Sequence, residues 1–219
     1  MKQRHKMNWT GIKRKAIITG ISVAAVAFAF GVGTFNPNGF VTSDYTKKIE
    51  NKFLKEAIAL GMHEPDFVYT DSNSFMDAVG QCVDFINFTT PRDQRVPSSI
   101  IIAMAGIESG WGTSRFTRDG NNLFGIRTWD PDTPQMKPLD LPNAEFGVKT
   151  YPTKCASVQD AINILNTHHA YEDFRIERKR QIELDIWDYD QLAFHISPWS
   201  TNEKYSDMIV NTIASKELP

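Results

Sequence analysis

Among the acidic residues of this 219-residue chain, Glu108 has the surroundings best suited to acid catalysis. It follows the apolar run Ile100–Ile107, and the glycines of Ser109-Gly110-Trp111-Gly112 predict that a helix ends just after it. A carboxylate at a helix C-terminus meets the negative end of the helix dipole, and apolar neighbours such as Trp111 would desolvate it. Because both effects favour the protonated form, we expect Glu108 to donate a proton near neutral pH.

Two sequence blocks begin at Glu108 and Asn121. The first block is Glu108-Ser109-Gly110-Trp111-Gly112-Thr113-Ser114, and the second is Asn121-Asn122-Leu123-Phe124-Gly125-Ile126. Together they resemble the bacterial glucosaminidases, a branch of the lysozyme-like superfamily. Members of the family carry an apolar helix that ends in E-S-G-W-G-x-S, followed by N-N-L-F-G-[IV]. Looser similarity extends over roughly residues 75–215, and the segment around Leu165–Arg175 is most similar to the Bax-type proteins.

The resemblance implies an enzyme that cleaves the β-1,4 bond after N-acetylglucosamine in peptidoglycan, with Glu108 as its general acid. It implies that four residues of the second block shape the floor of a sugar cleft: Asn121, Asn122, Phe124 and Gly125. A third block, Trp199–Tyr205, resembles the family pattern Y-[AS]-T-x-x-x-Y, which implies that Tyr205 lies near the cleaved bond. Trp199 replaces the first tyrosine of that pattern and has no hydroxyl group.

A second carboxylate is expected on the hairpin lobe of such enzymes. Glu145 is the first candidate and Asp140 the second. Such a group could hold water for an inverting attack, in which the two carboxyl groups lie about 6.5–9.5 Å apart. Two alternatives remain open, because Glu145 could be a solvated hairpin residue and the N-acetyl group of the substrate could assist the reaction instead.

Aromatic side chains near these blocks could stack on sugar rings. Trp111, Trp129 and Trp199 are the candidates for substrate contacts, and packing within the fold is the alternative for Trp111 and Trp129. No Cys and His residues stand at zinc-ligand spacing, and acid-catalysed glycoside hydrolysis needs no cofactor. We therefore predict neither a metal site nor a cofactor.

Two other functions fit the same blocks. A lytic transglycosylase shares the lysozyme-like fold and a single catalytic glutamate, but it forms a 1,6-anhydro sugar. A membrane-anchored wall-binding protein with a decayed site is the non-enzymatic alternative. Because the Glu108 block is intact, we favour a hydrolase.

Charge is distributed unevenly along the chain. Six Lys and Arg residues precede Asp44, the first acidic residue, and the rest of the chain contains 18 basic residues against 26 acidic ones. Nucleic-acid binding depends on many cations at phosphates, so such an acidic domain is a poor candidate for it. The sequence leaves the oligomeric state open.

The N-terminus predicts export. Residues 1–15 form a basic cytoplasmic region, and residues 16–35 form an uncharged stretch long enough, at about 20 residues, to span a membrane. This stretch could be a transmembrane anchor or a signal peptide cleaved after Ala27-Phe28-Ala29. Residues 36–48 would then link it to a catalytic domain over residues 49–219, located in the cell envelope, either anchored in the inner membrane and facing the periplasm or released into the periplasm or medium.

Apolar spacing predicts a mainly α-helical (α+β) domain, and the resemblance implies that its fold is lysozyme-like with a small β-hairpin lobe. Ser74 with Asp77 and Ser157 with Asp160 look like helix starts. The second hairpin strand is expected near Glu145–Tyr151. Cys82 and Cys155 could form a disulfide after export or could both be small buried residues, and the sequence does not decide between the two.

Overall fold

Helices account for most of the described part of the chain. The computed structural model describes residues 63–219 and, before them, only Lys48, Lys52 and Lys55. Residues 63–219 belong to one compact unit. Its elements, in chain order, are α1 (Ser72–Thr89), α2 (Ser98–Ser109), α3 (Arg115–Gly120), β1 (Arg127–Thr128), β2 (Gln135–Met136), β3 (Gly147–Lys149), α4 (Lys154–Thr167), α5 (Glu172–Leu184), α6 (Tyr189–Phe194) and α7 (Tyr205–Ser215), with single 3-10 turns at Arg92–Gln94, His169–Tyr171 and Ser197–Trp199.

Helix α2 lies at the centre of the core. Nine of its 12 residues are buried, including every residue of the run from Ile100 to Gly106. A helix that is apolar on all sides has to be covered on all sides. Helices α1 and α7 pack against it, and α1 also packs against α4. The prediction of a mainly helical domain with a small β lobe is confirmed.

The β lobe contains three strands and not the predicted two. Strand β3 is central and pairs antiparallel with β1, through Arg127 and Val148, and with β2, through Gln135 and Lys149. The predicted strand near Glu145–Tyr151 therefore corresponds to β3. Neither β1 nor β2 was located from the sequence, because two residues are too few to show an alternating pattern.

Both predicted helix starts were wrong by several residues. Helix α1 begins after Asp71, whose carboxylate accepts a hydrogen bond from the Ser74 N–H, while the Ser74 hydroxyl accepts one from the Asp71 N–H. Helix α4 begins after Thr153, which caps the Ala156 N–H. Ser157 is buried one turn inside α4, where its hydroxyl accepts a hydrogen bond from the Leu123 N–H. Several capping residues follow one another here, so the sequence alone did not select the right one.

A disulfide joins α1 to the first turn of α4. Cys82 and Cys155 are both buried in the core, and their Cα atoms lie 5.2 Å apart. The two cysteines are 73 positions apart in the sequence, and the loop between them contains both family blocks, Glu108–Ser114 and Asn121–Ile126. The disulfide thereby ties the segment that carries these blocks to the helical core.

The predicted export elements cannot be placed. The basic region at 1–15, the apolar stretch at 16–35 and the linker at 36–48 lie outside the described residues, apart from Lys48. Among the described residues, no helix combines the length and the apolar character needed to cross a bilayer.

Replacing both cysteines with alanine should lower the free energy of unfolding by about 2–5 kcal/mol, because the unfolded chain regains the freedom of a long loop. Urea denaturation with and without reductant measures the effect. The wild type should lose stability on reduction, whereas the double variant should not respond to reductant. Equal stability of oxidised wild type and double variant would contradict the proposed contribution of the disulfide.

Candidate active site

A cleft of about 400 Å³ opens beside the C-terminal end of α2. Five residues proposed from the sequence line it: Glu108, Phe124, Gly125, Trp129 and Trp199. The remaining lining residues were not proposed: Ile126, Arg127, Ile164, Tyr171, Ser200 and Thr201. The cleft therefore lies between the turn after α3, strand β1, helix α4 and the segment before α7.

The turn that follows Glu108 fixes the end of α2. Gly110 adopts a left-handed conformation with φ of 58°, which a residue with a Cβ adopts only at a cost, and its N–H donates to the Gly106 carbonyl. The buried Ser109 hydroxyl accepts a hydrogen bond from the Gly112 N–H and donates one to the Ala105 carbonyl. The Tyr69 hydroxyl donates to the Gly112 carbonyl at 2.7 Å. This first block thus holds the last turn of α2, and Glu108 with it, in place.

The structure places Trp111 away from the cleft. Its indole ring lies directly over Gly106, where even a Cβ would approach the ring to 2.6 Å, and its edge contacts Phe75. Gly106 precedes Glu108 by two residues and so lies on a different face of α2. Trp111 therefore packs within the fold, the alternative to sugar stacking that the sequence left open, and it is not among the residues that line the cleft with Glu108.

Burial raises the pKa of the Glu108 carboxyl above its ordinary value of 4.5. The side chain is half-buried among the apolar walls of the cleft. An interaction with the Tyr205 hydroxyl acts in the opposite direction and lowers the pKa of Glu108, but its effect is smaller than that of burial. The net result favours a protonated carboxyl group that faces the cleft.

Tyr205 approaches Glu108 from the core. Its side chain is only 2% exposed, and both burial and the nearby Glu108 carboxyl raise the pKa of its hydroxyl. The hydroxyl is close enough to affect Glu108, although it forms no hydrogen bond of normal geometry with any described residue. Tyr205 does not line the cleft, so its geometry suits adjustment of Glu108 better than contact with a substrate.

Asn122 shapes the cleft floor from beneath. It is buried, its amide nitrogen donates to the carbonyls of Ile126 and Lys149, and its amide oxygen accepts from the N–H groups of Phe124 and Ile126. The adjacent Asn121 instead donates to the carbonyls at positions 151 and 152 and accepts from the ammonium group at position 154. Neither asparagine lines the cleft, so the structure places both in support of the turn that presents Phe124 and Gly125.

Aromatic rings form two walls of the cleft. The Trp199 ring lies 6.2 Å from that of Phe124 and 6.0 Å from that of Tyr171, and burial raises the pKa of Tyr171 to about 12. Trp129 also lines the cleft, is 66% exposed, and has its ring centre 6.0 Å from that of Phe146. Exposed indole rings beside a cleft are suited to stacking on the apolar faces of sugars.

The two candidates for a second carboxylate lie outside this cleft. Glu145 and Asp140 are exposed and line an adjacent hollow of about 570 Å³, which shares Trp129 with the cleft. Glu108 is the sole carboxylic acid among the described residues that line the cleft. Chemically, the described lining offers one carboxyl group whose pKa burial raises, beside aromatic rings and without a second carboxylate.

Comparisons with known proteins identify the family of the chain. The sequence profile of the glucosaminidases, described as mannosyl-glycoprotein endo-beta-N-acetylglucosaminidase, matches residues 90–218. The chain belongs to the glucosaminidase family. The family resemblance predicted from the two blocks is thus confirmed, and with it the assignment to the glycoside hydrolases.

Two relatives give the extent of the similarity. The chain is 34% identical to Protein bax of Escherichia coli (strain K12) over 90 residues, which are 41% of this chain and 31% of that protein. The fold is similar to the catalytic domain of the autolysin Auto from Listeria monocytogenes, with a TM-score of 0.50 and 18% identity over 75% of this chain and 95% of that domain. The second likeness supports the lysozyme-like prediction for the fold alone.

Arg127, a cleft residue that the sequence reasoning missed, stands two positions before Trp129, which was proposed. Burial alternates along Ile126, Arg127, Thr128 and Trp129, so that Arg127 and Trp129 face the same side of β1. Because Trp129 was proposed to line the cleft, Arg127 could have been predicted to line it as well. Tyr171 had no comparable signal, because a 3-10 turn has no apolar period to place it.

Replacing Asn122 with alanine should lower the free energy of unfolding by about 2–4 kcal/mol, because four hydrogen bonds are lost and buried backbone groups remain unpaired. Chemical denaturation measures this change. Asn143→Ala, at an exposed position of the neighbouring hollow, is the control and should change stability by less than about 0.5 kcal/mol. Similar effects of the two changes would contradict the supporting role of Asn122.

Proposed function

We propose that this protein is a peptidoglycan hydrolase, an endo-β-N-acetylglucosaminidase that cleaves the β-1,4 bond after N-acetylglucosamine. The observation that supports this most directly is Glu108, whose pKa is raised by burial in a cleft between aromatic walls. Membership of the glucosaminidase family supports the sugar specificity. The similarity to an autolysin's catalytic domain and to Protein bax is compatible with a bacterial wall polymer as substrate.

Glu108 acts as the general acid in this proposal. Its proton passes to the glycosidic oxygen while the bond between that oxygen and the anomeric carbon breaks, so the leaving sugar departs as a neutral alcohol. The positive charge that develops on the cleaved sugar would lie beside the indole and phenol rings of Trp199 and Tyr171. The Glu108 carboxylate is then available to accept a proton from the water that attacks the anomeric carbon.

The absence of a second carboxylate from the described lining favours help from the substrate itself. The N-acetyl oxygen attacks the anomeric carbon as the glycosidic bond breaks, and water then opens the cyclic intermediate as Glu108 takes its proton. Glu145 lines the neighbouring hollow, which shares Trp129 with the cleft, so it would take part only if the β lobe moved it towards Glu108. The two routes predict opposite outcomes at the anomeric carbon, retention for N-acetyl assistance and inversion for water held by Glu145.

Tyr205 tunes Glu108 in this proposal. A hydroxyl group that favours the ionised carboxylate keeps the pKa of Glu108 from rising further, which lets the same residue donate a proton and later accept one.

The proposed substrate implies where the protein acts. We place the protein in the cell envelope, with residues 16–35 as an anchor or a cleaved leader.

A lytic transglycosylase is the second candidate, and the single carboxylic acid in the described lining is the observation that favours it. In that reaction the 6-hydroxyl of the substrate replaces water, and the product is a 1,6-anhydro sugar. Mass spectrometry of digested sacculi separates the two products by the mass of one water molecule. A reducing N-acetylglucosamine end supports the proposed hydrolase, whereas anhydro ends would replace it with the transglycosylase.

Glu108→Gln should lower the turnover of purified peptidoglycan by about 100- to 10,000-fold, because the amide keeps the size of the side chain but has no acidic proton. Release of reducing ends from sacculi is the measurement. Glu183→Gln, on the exposed surface of α5, is the matched control and should retain full activity. Equal activity of Glu108→Gln and wild type would refute the assignment of the acid.

Tyr205→Phe should move the alkaline limb of the pH profile of kcat/KM to higher pH. The Tyr205 hydroxyl lowers the pKa of Glu108, so its removal raises that pKa and keeps the acid protonated over a wider range. The ring still fills the buried space, so the fold should persist. An unchanged limb, or one displaced to lower pH, would show that Tyr205 does not tune Glu108.

A further inference from the structure

Arg127 gives the cleft a positive charge that the proposed acid catalysis does not use. It is the one cationic residue among the described residues that line the cleft, where it stands with Glu108 and Trp129. Its backbone is fixed by pairing of β1 with Val148 on β3, while its side chain is exposed. The sheet thus sets the backbone position of Arg127, and the guanidinium group remains accessible.

The guanidinium group is held by an aromatic ring and not by an anion. Its central carbon lies 4.5 Å from the centre of the Phe146 ring, which orients the group without neutralising it. No ion pair joins Arg127 to any carboxylate in the part of the chain that the structure describes, Glu108 included. This is notable in a chain whose acidic residues outnumber its basic ones by 26 to 18 beyond the N-terminal basic region.

The charges in the cleft therefore favour an anionic ligand. Arg127 is the one cation and Glu108 the one carboxyl group among the described lining residues, and no ion pair joins them, so the guanidinium charge is available to a ligand. A glycan made of N-acetylglucosamine alone is neutral and needs no such partner. Peptidoglycan differs, because every second sugar carries a lactyl group that ends either in a free carboxylate or in a peptide with its own carboxylates.

We propose that Arg127 forms a carboxylate-binding subsite that selects the acidic groups of peptidoglycan strands over neutral glycans. This rests on the proposed function, because it assigns the substrate contact of the same cleft. The planar guanidinium group can donate two parallel hydrogen bonds to one carboxylate. The carboxylate belongs either to the lactyl group or to the attached peptide, and both sources offer the same chemistry.

Binding to four glycan probes tests the subsite. The probes are peptide-free strands with free lactyl carboxylates, peptide-bearing strands, and both kinds after conversion of their carboxyl groups to methylamides. Calorimetry uses the full-length chain carrying Glu108→Gln, so that no strand is cleaved. This chain should bind at least one carboxylated probe about 10- to 100-fold more tightly than its neutral counterpart, the range expected for a charge-assisted hydrogen bond.

Adding Arg127→Met should remove that preference while binding to the neutral probes stays unchanged, which also shows that the variant is folded. Arg127→Lys should retain part of the preference, because it keeps the charge and loses the paired hydrogen bonds. Arg118→Met removes a charge from an exposed position on α3 outside the cleft and should retain all of it. A preference confined to peptide-free strands identifies the lactyl group, and one confined to peptide-bearing strands identifies the peptide.

Three results would overturn the subsite: no preference for carboxylated probes, a preference that survives Arg127→Met, or an equal loss of binding to neutral and carboxylated probes. The last would mean that Arg127 serves only the structure of β1. Failure of the Glu108→Gln chain to bind any probe, together with failure of the wild type to release reducing ends from sacculi, would instead refute the proposed function.

Discussion

Desolvation of a single carboxyl group, that of Glu108, is the constraint around which the other parts of the cleft are arranged. An ionised carboxylate is unfavourable where apolar rings exclude water, so the group retains its proton at pH values where an exposed glutamate would lose it. Helix α2 can hold the group there because the helix is buried on nearly all sides and ends at a fixed point. Tyr205, behind the carboxyl group, limits how far the equilibrium moves towards the neutral form.

Most residues of the two family blocks support the cleft and do not line it. Ser109, Gly110 and Trp111 end and brace α2, and Asn122 holds the turn that presents Phe124 and Gly125. The disulfide between α1 and α4 ties the intervening segment to the core, and Ser157 joins α4 to the N–H of Leu123. The high specificity of these blocks as a sequence signature therefore reflects the exact backbone path that places one acid beside two walls of aromatic rings.

The sequence was most informative where residue type has a single physical consequence. The apolar run before Glu108 and the glycines after it predicted the helix and its end, and apolar spacing along the chain predicted the mainly helical fold. Prediction failed where the outcome depends on which of several similar residues acts, as in the helix starts at Asp71 and Thr153. For Trp111 the sequence left packing and sugar stacking open, because no local pattern tells which side of α2 the ring will cover. The role of Glu145 stays a prediction, because its distance from Glu108 depends on the packing of the whole β lobe.

The pKa of Glu108 itself tests the central claim most directly. Carboxyl carbons of glutamate labelled with carbon-13 report ionisation by NMR, and the resonance that is missing in Glu108→Gln identifies the residue. Titration of the full-length protein should give a pKa for Glu108 above its ordinary value of 4.5. A measured pKa at or below 4.5 would mean that the cleft stabilises the carboxylate, and the assignment of Glu108 as the proton donor would then be contradicted.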